Sequence, residues 1–198
     1  METKMNKLVL KYVSSLVFLA LAIAACEGST ETANTPAPPD YEISPLISEC
    51  GGFVAAGNGA KIPQSDPATY CGAERLLWNY DATTKTLGLM NARITLNCCG
   101  DHSLQVAKDG ETLVFTEVDA PQAATGGTRC KCNCVFDYAA DISTVEGPMA
   151  SLRIVRNITD ADPATQTVWE GTLDLSAGEG EVIINTANAD PWCTPPVP

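Results

Sequence analysis

Short stretches in which apolar and polar residues alternate, separated by turn-forming residues, dominate this chain, and no long helical periodicity stands out. "LLWNYD" places Leu76, Trp78 and Tyr80 on one parity, and "RITLNC" does the same for Ile94, Leu96 and Cys98. In "HSLQVAKDGETLVFTEV", Leu104 and Val106 face Leu113 and Phe115 across Lys108-Asp109-Gly110, a hairpin turn. "SLRIVRNI" offers Leu152, Ile154 and Ile158, and "TVWEGTLDL" offers Trp169, Leu173 and Leu175. "SAGEGEVII" reads as a turn leading into a last strand with Val182 and Ile184. Strand character also follows the cysteines of "CKCNCVFDYAADI", through Val135, Phe136 and Tyr138. "DAPQAATGGTR" has no apolar pattern and is expected to be an exposed loop. About eight strands at this spacing predict an all-β fold, a single antiparallel β-sandwich domain.

The first forty residues follow another pattern. Lys4, Lys7 and Lys11 make a basic start, and Tyr12 to Ala25 is an uncharged, mostly apolar run of 14 residues. That is the form of a secretory signal, and it is shorter than the roughly 17–25 residues a bilayer-spanning helix needs. The run ends in "LAIAAC", an aliphatic residue and two small residues before Cys26. This resembles the lipobox of bacterial lipoproteins. The resemblance implies a diacylglyceryl group on the Cys26 thiol and cleavage just before it. An ordinary signal peptide with Cys26 as a disulfide partner is the plainer alternative. "EGSTETANTPAPPD", Glu27 to Asp40, has too little apolar bulk to offset its ordering entropy and reads as a tether. The expected organisation is a signal peptide over 1–25, a lipidated cysteine and tether over 26–40, and the sandwich with a short Pro-rich tail over 41–198.

Charge narrows the partners. The chain carries a net charge of −12, which becomes −14 when residues 1–25, with three Lys and one Glu, are removed. A surface this acidic argues against nucleic acid and against adsorption to anionic headgroups. The acyl chains on Cys26 are then the expected membrane contact, each buried methylene contributing about 0.8 kcal/mol. An envelope protein or a ligand is open as a further partner.

Eight cysteines remain: Cys50, Cys71, Cys98, Cys99, Cys130, Cys132, Cys134 and Cys193. The number is even and the compartment lies outside the cytosol, so a disulfide framework is expected, with 105 possible connectivities. In a regular strand Cys130, Cys132 and Cys134 would point to one face about 6.6–6.8 Å apart, with the outer two about 13 Å apart. One zinc ion needs sulfurs at about 2.3 Å, so such a strand cannot bring all three to it. Parallel-pointing thiols are equally poor disulfide partners for one another, so each should reach a neighbouring strand or loop. "NCCGDH" supplies such neighbours, with Gly100 as a bulge or turn that can swing the second thiol round.

No metal and no cofactor is assigned. The alternative metal reading uses Cys98, Cys99, His102, Cys130, Cys132 and Cys134 with reduced thiols on an irregular backbone, a set suited to copper or zinc. A thiol-disulfide redox protein is the third reading, although the chain has no C-x-x-C.

No catalytic residue is assigned. His102 is the only histidine and has no G-x-S-x-G elbow beside it, so a turn residue bonding to backbone is expected. Asp160 and Asp162 lack the glycine and terminal glutamate of an EF-hand and read as a solvated turn. Trp78, Trp169 and Trp192 read as core or rim, and no phosphate-binding glycine loop is present.

"NCCGDH" followed by "CKCNCVFDY" resembles cysteine-rich envelope lipoproteins of Gram-negative bacteria over about Trp78 to Asp141. That resemblance implies an exported, β-rich envelope protein and carries no activity with it. The function expected is structural or binding, non-catalytic, at the cell envelope, with the outer membrane as the expected location.

Overall fold

The computed structural model describes residues 42–54, 62–63 and 72–186. The expected signal segment, Cys26, the expected tether, Cys71, Trp192, Cys193 and the Pro-rich tail lie outside the described residues. Nine strands occur among the described residues: β1 (Ile43–Ile47), β2 (Glu74–Asp81), β3 (Thr86–Asn97), β4 (Gly100–Asp109), β5 (Thr112–Pro121), β6 (Asn133–Ile142), β7 (Met149–Ile158), β8 (Thr165–Asp174) and β9 (Glu179–Asn185). They form a five-stranded sheet, β1-β6-β3-β2-β9, and a four-stranded sheet, β4-β5-β7-β8. The expected all-β sandwich is therefore present.

Its pairing departs from the fully antiparallel expectation at one place. β5 and β7 run parallel, in register from Thr112↔Ser151 to Asp119↔Ile158. Parallel neighbours need a long crossover, and β6 supplies it by running in the opposite sheet. The hairpin turn also shifts by a residue or two. Lys108 and Asp109 stay in the ladder opposite Leu113 and Thr112, and Gly110, at φ 61°, begins the turn. Part of the expected loop is strand as well, since Asp119 to Pro121 pair with His102 to Gly100.

The core lies between the sheets. Leu76, Trp78, Leu87, Leu89, Ile94, Leu96, Leu113, Phe115, Tyr138, Leu152, Ile154 and Leu173 are all buried in one cluster. Full burial of each such side chain is worth about 1.5–3 kcal/mol. In β3 the inward residues switch from Leu87 and Leu89 to Ile94 and Leu96, a change of parity. A register shift between Asn91 and Ile94 absorbs it, with Arg93 at φ 65°. The bulge turns both apolar sets toward one core.

β3 and β6 are buried on both faces, which simple alternation does not anticipate. Val54 and Ile62 cover the outer side of Met90, Ala92 and Ala139. Beneath this cover Arg93 pairs with Asp137 at 2.8 Å, both side chains at most 1% exposed, and stacks over the Phe53 ring at 3.9 Å. The Asp137 carboxylate also accepts the Arg93 backbone N–H at 3.0 Å, so the bulge is held by the group its side chain neutralises. Trp78 is core, packed against Gly180 of the neighbouring strand where no Cβ would fit. Trp169 is half-buried at the core's rim.

Candidate functional site

Two crossings between the sheets meet at one end of the sandwich. β3 passes into β4 through Cys98 and Cys99, and β5 reaches β6 through residues 122–132. Gly100 is required at the corner, because a Cβ there would overlap the Asp119 carboxylate and the His102 ring. Disulfides Cys98–Cys132 and Cys99–Cys130 join the two crossings. A third, Cys50–Cys134, ties the segment after β1 to the start of β6.

Six of the eight candidate cysteines are thus paired. Cys71 and Cys193 lie outside the described residues. The three cysteines of the triplet do not share one strand face: only Cys134 belongs to β6, and Cys130 and Cys132 precede it. Cys98 is likewise outside its expected strand, in the corner after Asn97. Leaving the strand lets both Cys98 and Cys99 reach the incoming loop, where a regular ladder would allow one.

Hydrogen bonds hold the same corner independently of sulfur. The Asn97 Nδ2 donates to the carbonyls of Cys130 at 2.8 Å and Cys132 at 3.2 Å, and its Oδ1 accepts the Cys99 N–H at 3.0 Å. The Cys98 N–H donates to the Cys132 carbonyl at 3.2 Å. Arg129, just ahead of Cys130, donates to the buried Asp119 carboxylate and to both oxygens of Asp160, at 3.2 and 3.1 Å from Nε. Asp160, then Asp119, raise the Arg129 pKa above its ordinary value, and the Arg129 bond lowers that of Asp160. Asp160 is therefore a fastening for the crossing loop, beyond the solvated turn expected of it. The adjoining cleft, about 300 Å³ and lined by Thr95, Asn97, Asp119, Arg129, Asn133 and Asp160 among others, presents a cation already matched by two carboxylates.

His102 lies in β4 under this corner, not in a turn, but it does bond to backbone. Its Nε2 stands 3.1 Å from the Asn97 carbonyl, which can only accept, so Nε2 carries the proton. In the neutral ring Nδ1 then accepts from the Tyr138 hydroxyl at 2.9 Å, a proton shared with the Val118 carbonyl at 3.3 Å. The ring packs 4.2 Å from the Phe136 ring centroid. Burial lowers the His102 pKa, partly opposed by Asp119, whose carboxylate is 3.9 Å away. Burial likewise raises the Tyr138 pKa.

The six residues of the alternative metal reading separate into two groups. His102 has both ring nitrogens engaged, and Cys134 is bonded to Cys50. The sulfurs of Cys98, Cys99, Cys130 and Cys132 lie within 4.8 Å of one another.

A second polar cluster, not singled out from the sequence, lies inside the sandwich. Asn91 Nδ2 donates to Glu74 Oε1 at 3.0 Å and to Glu117 Oε1 at 2.6 Å. Arg156 bridges the same two carboxylates, with Nε 2.9 Å from Glu117 and a terminal nitrogen 2.5 Å from Glu74. Burial pushes the Glu117 pKa up to about 7, against the opposing charge of Arg156. For Arg156, burial acts downward, and the two glutamates more than offset it. The sequence signal was parity: Glu74 alternates with Leu76 and Trp78, Asn91 with Leu87 and Leu89, Glu117 with Leu113 and Phe115, and Arg156 with Leu152 and Ile154.

Comparison with protein-family models, with curated proteins and with solved structures gives no match to this chain.

Proposed function

We propose that this chain is an exported lipoprotein, anchored through acyl chains on Cys26, that holds a disulfide-stapled β-sandwich at the cell envelope for a structural or binding role. The observation that carries the reading is the pairing of Cys50, Cys98, Cys99, Cys130, Cys132 and Cys134 in three bridges at one end of the domain. Such a framework belongs to an oxidising compartment, in agreement with the basic start, apolar run and "LAIAAC" boundary. The net charge of −12 leaves lipid as the favoured membrane contact. A non-catalytic role is supported by His102, whose two nitrogens are occupied by Tyr138 and Asn97.

The anchor is tested by Cys26→Ser. Metabolic labelling with a fatty acid and partitioning into a detergent phase should both be lost in the variant, leaving uncleaved or soluble protein. Unchanged labelling and partitioning would refute the anchor assignment.

A further inference from the structure

We propose that Cys98, Cys99, Cys130 and Cys132 form a redox-gated metal site: closed as two disulfides, and able when reduced to hold one thiophilic cation of the zinc class through four sulfurs. The inference is independent of the lipid anchor.

The four cysteines stand where the strands break off, after β3 and ahead of β6. A regular strand spaces alternate thiols too widely for one ion. Here two sulfurs come from the corner between β3 and β4, and two from the loop ahead of β6. All four lie within 4.8 Å of one another. Tetrahedral zinc with bonds of about 2.3 Å requires sulfurs about 3.8 Å apart, within that span. The bridged Cα atoms stand 5.7 and 5.5 Å apart, so side-chain torsions can open each pair while the backbone stays in place.

The scaffold around the four sulfurs is fastened separately. The Asn97 amide clamps the carbonyls of Cys130 and Cys132 and the N–H of Cys99, and Arg129 is fastened to Asp119 and Asp160. None of these bonds involves sulfur. Reduction therefore cuts the bridges without releasing the loop from the corner, and the four thiols stay gathered. Preorganisation of this kind lowers the entropy that a metal must overcome on binding. The sulfur-only ligand set favours zinc or copper(I) over calcium or magnesium. Cys132 is exposed and the other three are half-buried, so a reductant reaches the Cys98–Cys132 bridge from solvent.

The chemistry balances with a dithiol as reductant. Each bridge takes two electrons and two protons from one dithiol, which becomes a disulfide, so two dithiols yield four protein thiols. A divalent cation then displaces the four thiol protons and forms four metal–sulfur bonds. Reoxidation by two disulfides, each taking two electrons from the protein and two protons from solvent to become a dithiol, restores both bridges and expels the ion.

The test uses the full-length protein in detergent, reduced with a dithiol, desalted without oxygen and titrated with cobalt(II) as a spectroscopic probe. The expected result is one cobalt per reduced chain, with the intense visible absorption of tetrahedral sulfur ligation, displaced by zinc. The oxidised protein should take up none. Cys99→Ser/Cys130→Ser should lose the spectrum, and Cys50→Ser/Cys134→Ser should keep it. Circular dichroism followed through the titration reports the fold. The proposal is overturned if the reduced wild type takes up no cobalt, or is unfolded and stays so with cobalt. It is also overturned if the spectrum survives Cys99→Ser/Cys130→Ser, or disappears in Cys50→Ser/Cys134→Ser.

Discussion

At the end of the sandwich away from the bridges, the crossings between sheets carry apolar side chains into the core. Val145, between β6 and β7, is buried, donates its N–H to the Lys85 carbonyl at 2.9 Å and receives the Tyr80 hydroxyl on its carbonyl at 2.8 Å. Leu175, between β8 and β9, is also buried, and its N–H reaches the Pro148 carbonyl at 2.7 Å. At the bridged end, residues 122–132 connect β5 to β6 without burying a single side chain. What closes that end is sulfur, the Asn97 amide and the Arg129 ion pairs. A loop with an apolar plug is held by the hydrophobic effect, whereas a polar loop needs directional or covalent ties to overcome its ordering entropy.

The largest expected effect comes from cutting the bridge that, among the described residues, spans the longest stretch of chain. Cys50–Cys134 has a sequence separation of 84, for which loop-closure entropy predicts roughly 4–5 kcal/mol. Cys50→Ser/Cys134→Ser should therefore lower the urea unfolding free energy by about that amount. An unchanged unfolding midpoint would show that the tie between the segment after β1 and β6 adds no stability, leaving the contrast to rest on the two corner bridges alone.

Leu175→Ala probes the opposite end. The side chain is 2% exposed, and removing a buried leucine's methyl and methylene groups typically costs about 2–5 kcal/mol. The loss should be the same in wild-type and Cys50→Ser/Cys134→Ser backgrounds, because distant sites add. Strong non-additivity would mean that the ends share one cooperative network, so that plug and staple are not separate devices.

The smallest effect belongs to the charged cluster between the ends. The Glu117 carboxyl, raised to about 7 from 4.5, binds its proton more tightly in the folded chain. Its contribution is complete below the unfolded pKa and is lost as pH rises through the folded one. Stability should therefore fall by roughly 1 kcal/mol between about pH 6 and about pH 8. Glu117→Gln should remove that fall. His102 acts with the opposite sign: its lowered pKa makes stability decline as pH falls below its ordinary value of 6.5. A fall of the same size in Glu117→Gln would place its origin outside this cluster.

Alternation alone determined that the chain is all-β, and it located much of the core: Leu76, Trp78, Ile94, Leu96, Leu104, Val106, Leu113, Phe115, Leu152, Ile154 and Leu173 all lie where their parity puts them. It also held the signal for the interior cluster, since Glu74, Asn91, Glu117 and Arg156 share the inward parity of their strands. Other features belong to tertiary structure. Which strands are neighbours, and that β5 and β7 run parallel, depends on β6 crossing to the other sheet. That β3 and β6 are covered on both faces depends on Val54 and Ile62, distant in sequence. The cysteine count announced bridges, but spacing measured along an extended chain could not choose the partners. The choice was made where the chain leaves the strand at Cys98, Cys99, Cys130 and Cys132, because local geometry reaches one or two residues and two chain crossings are needed to bring four sulfurs together.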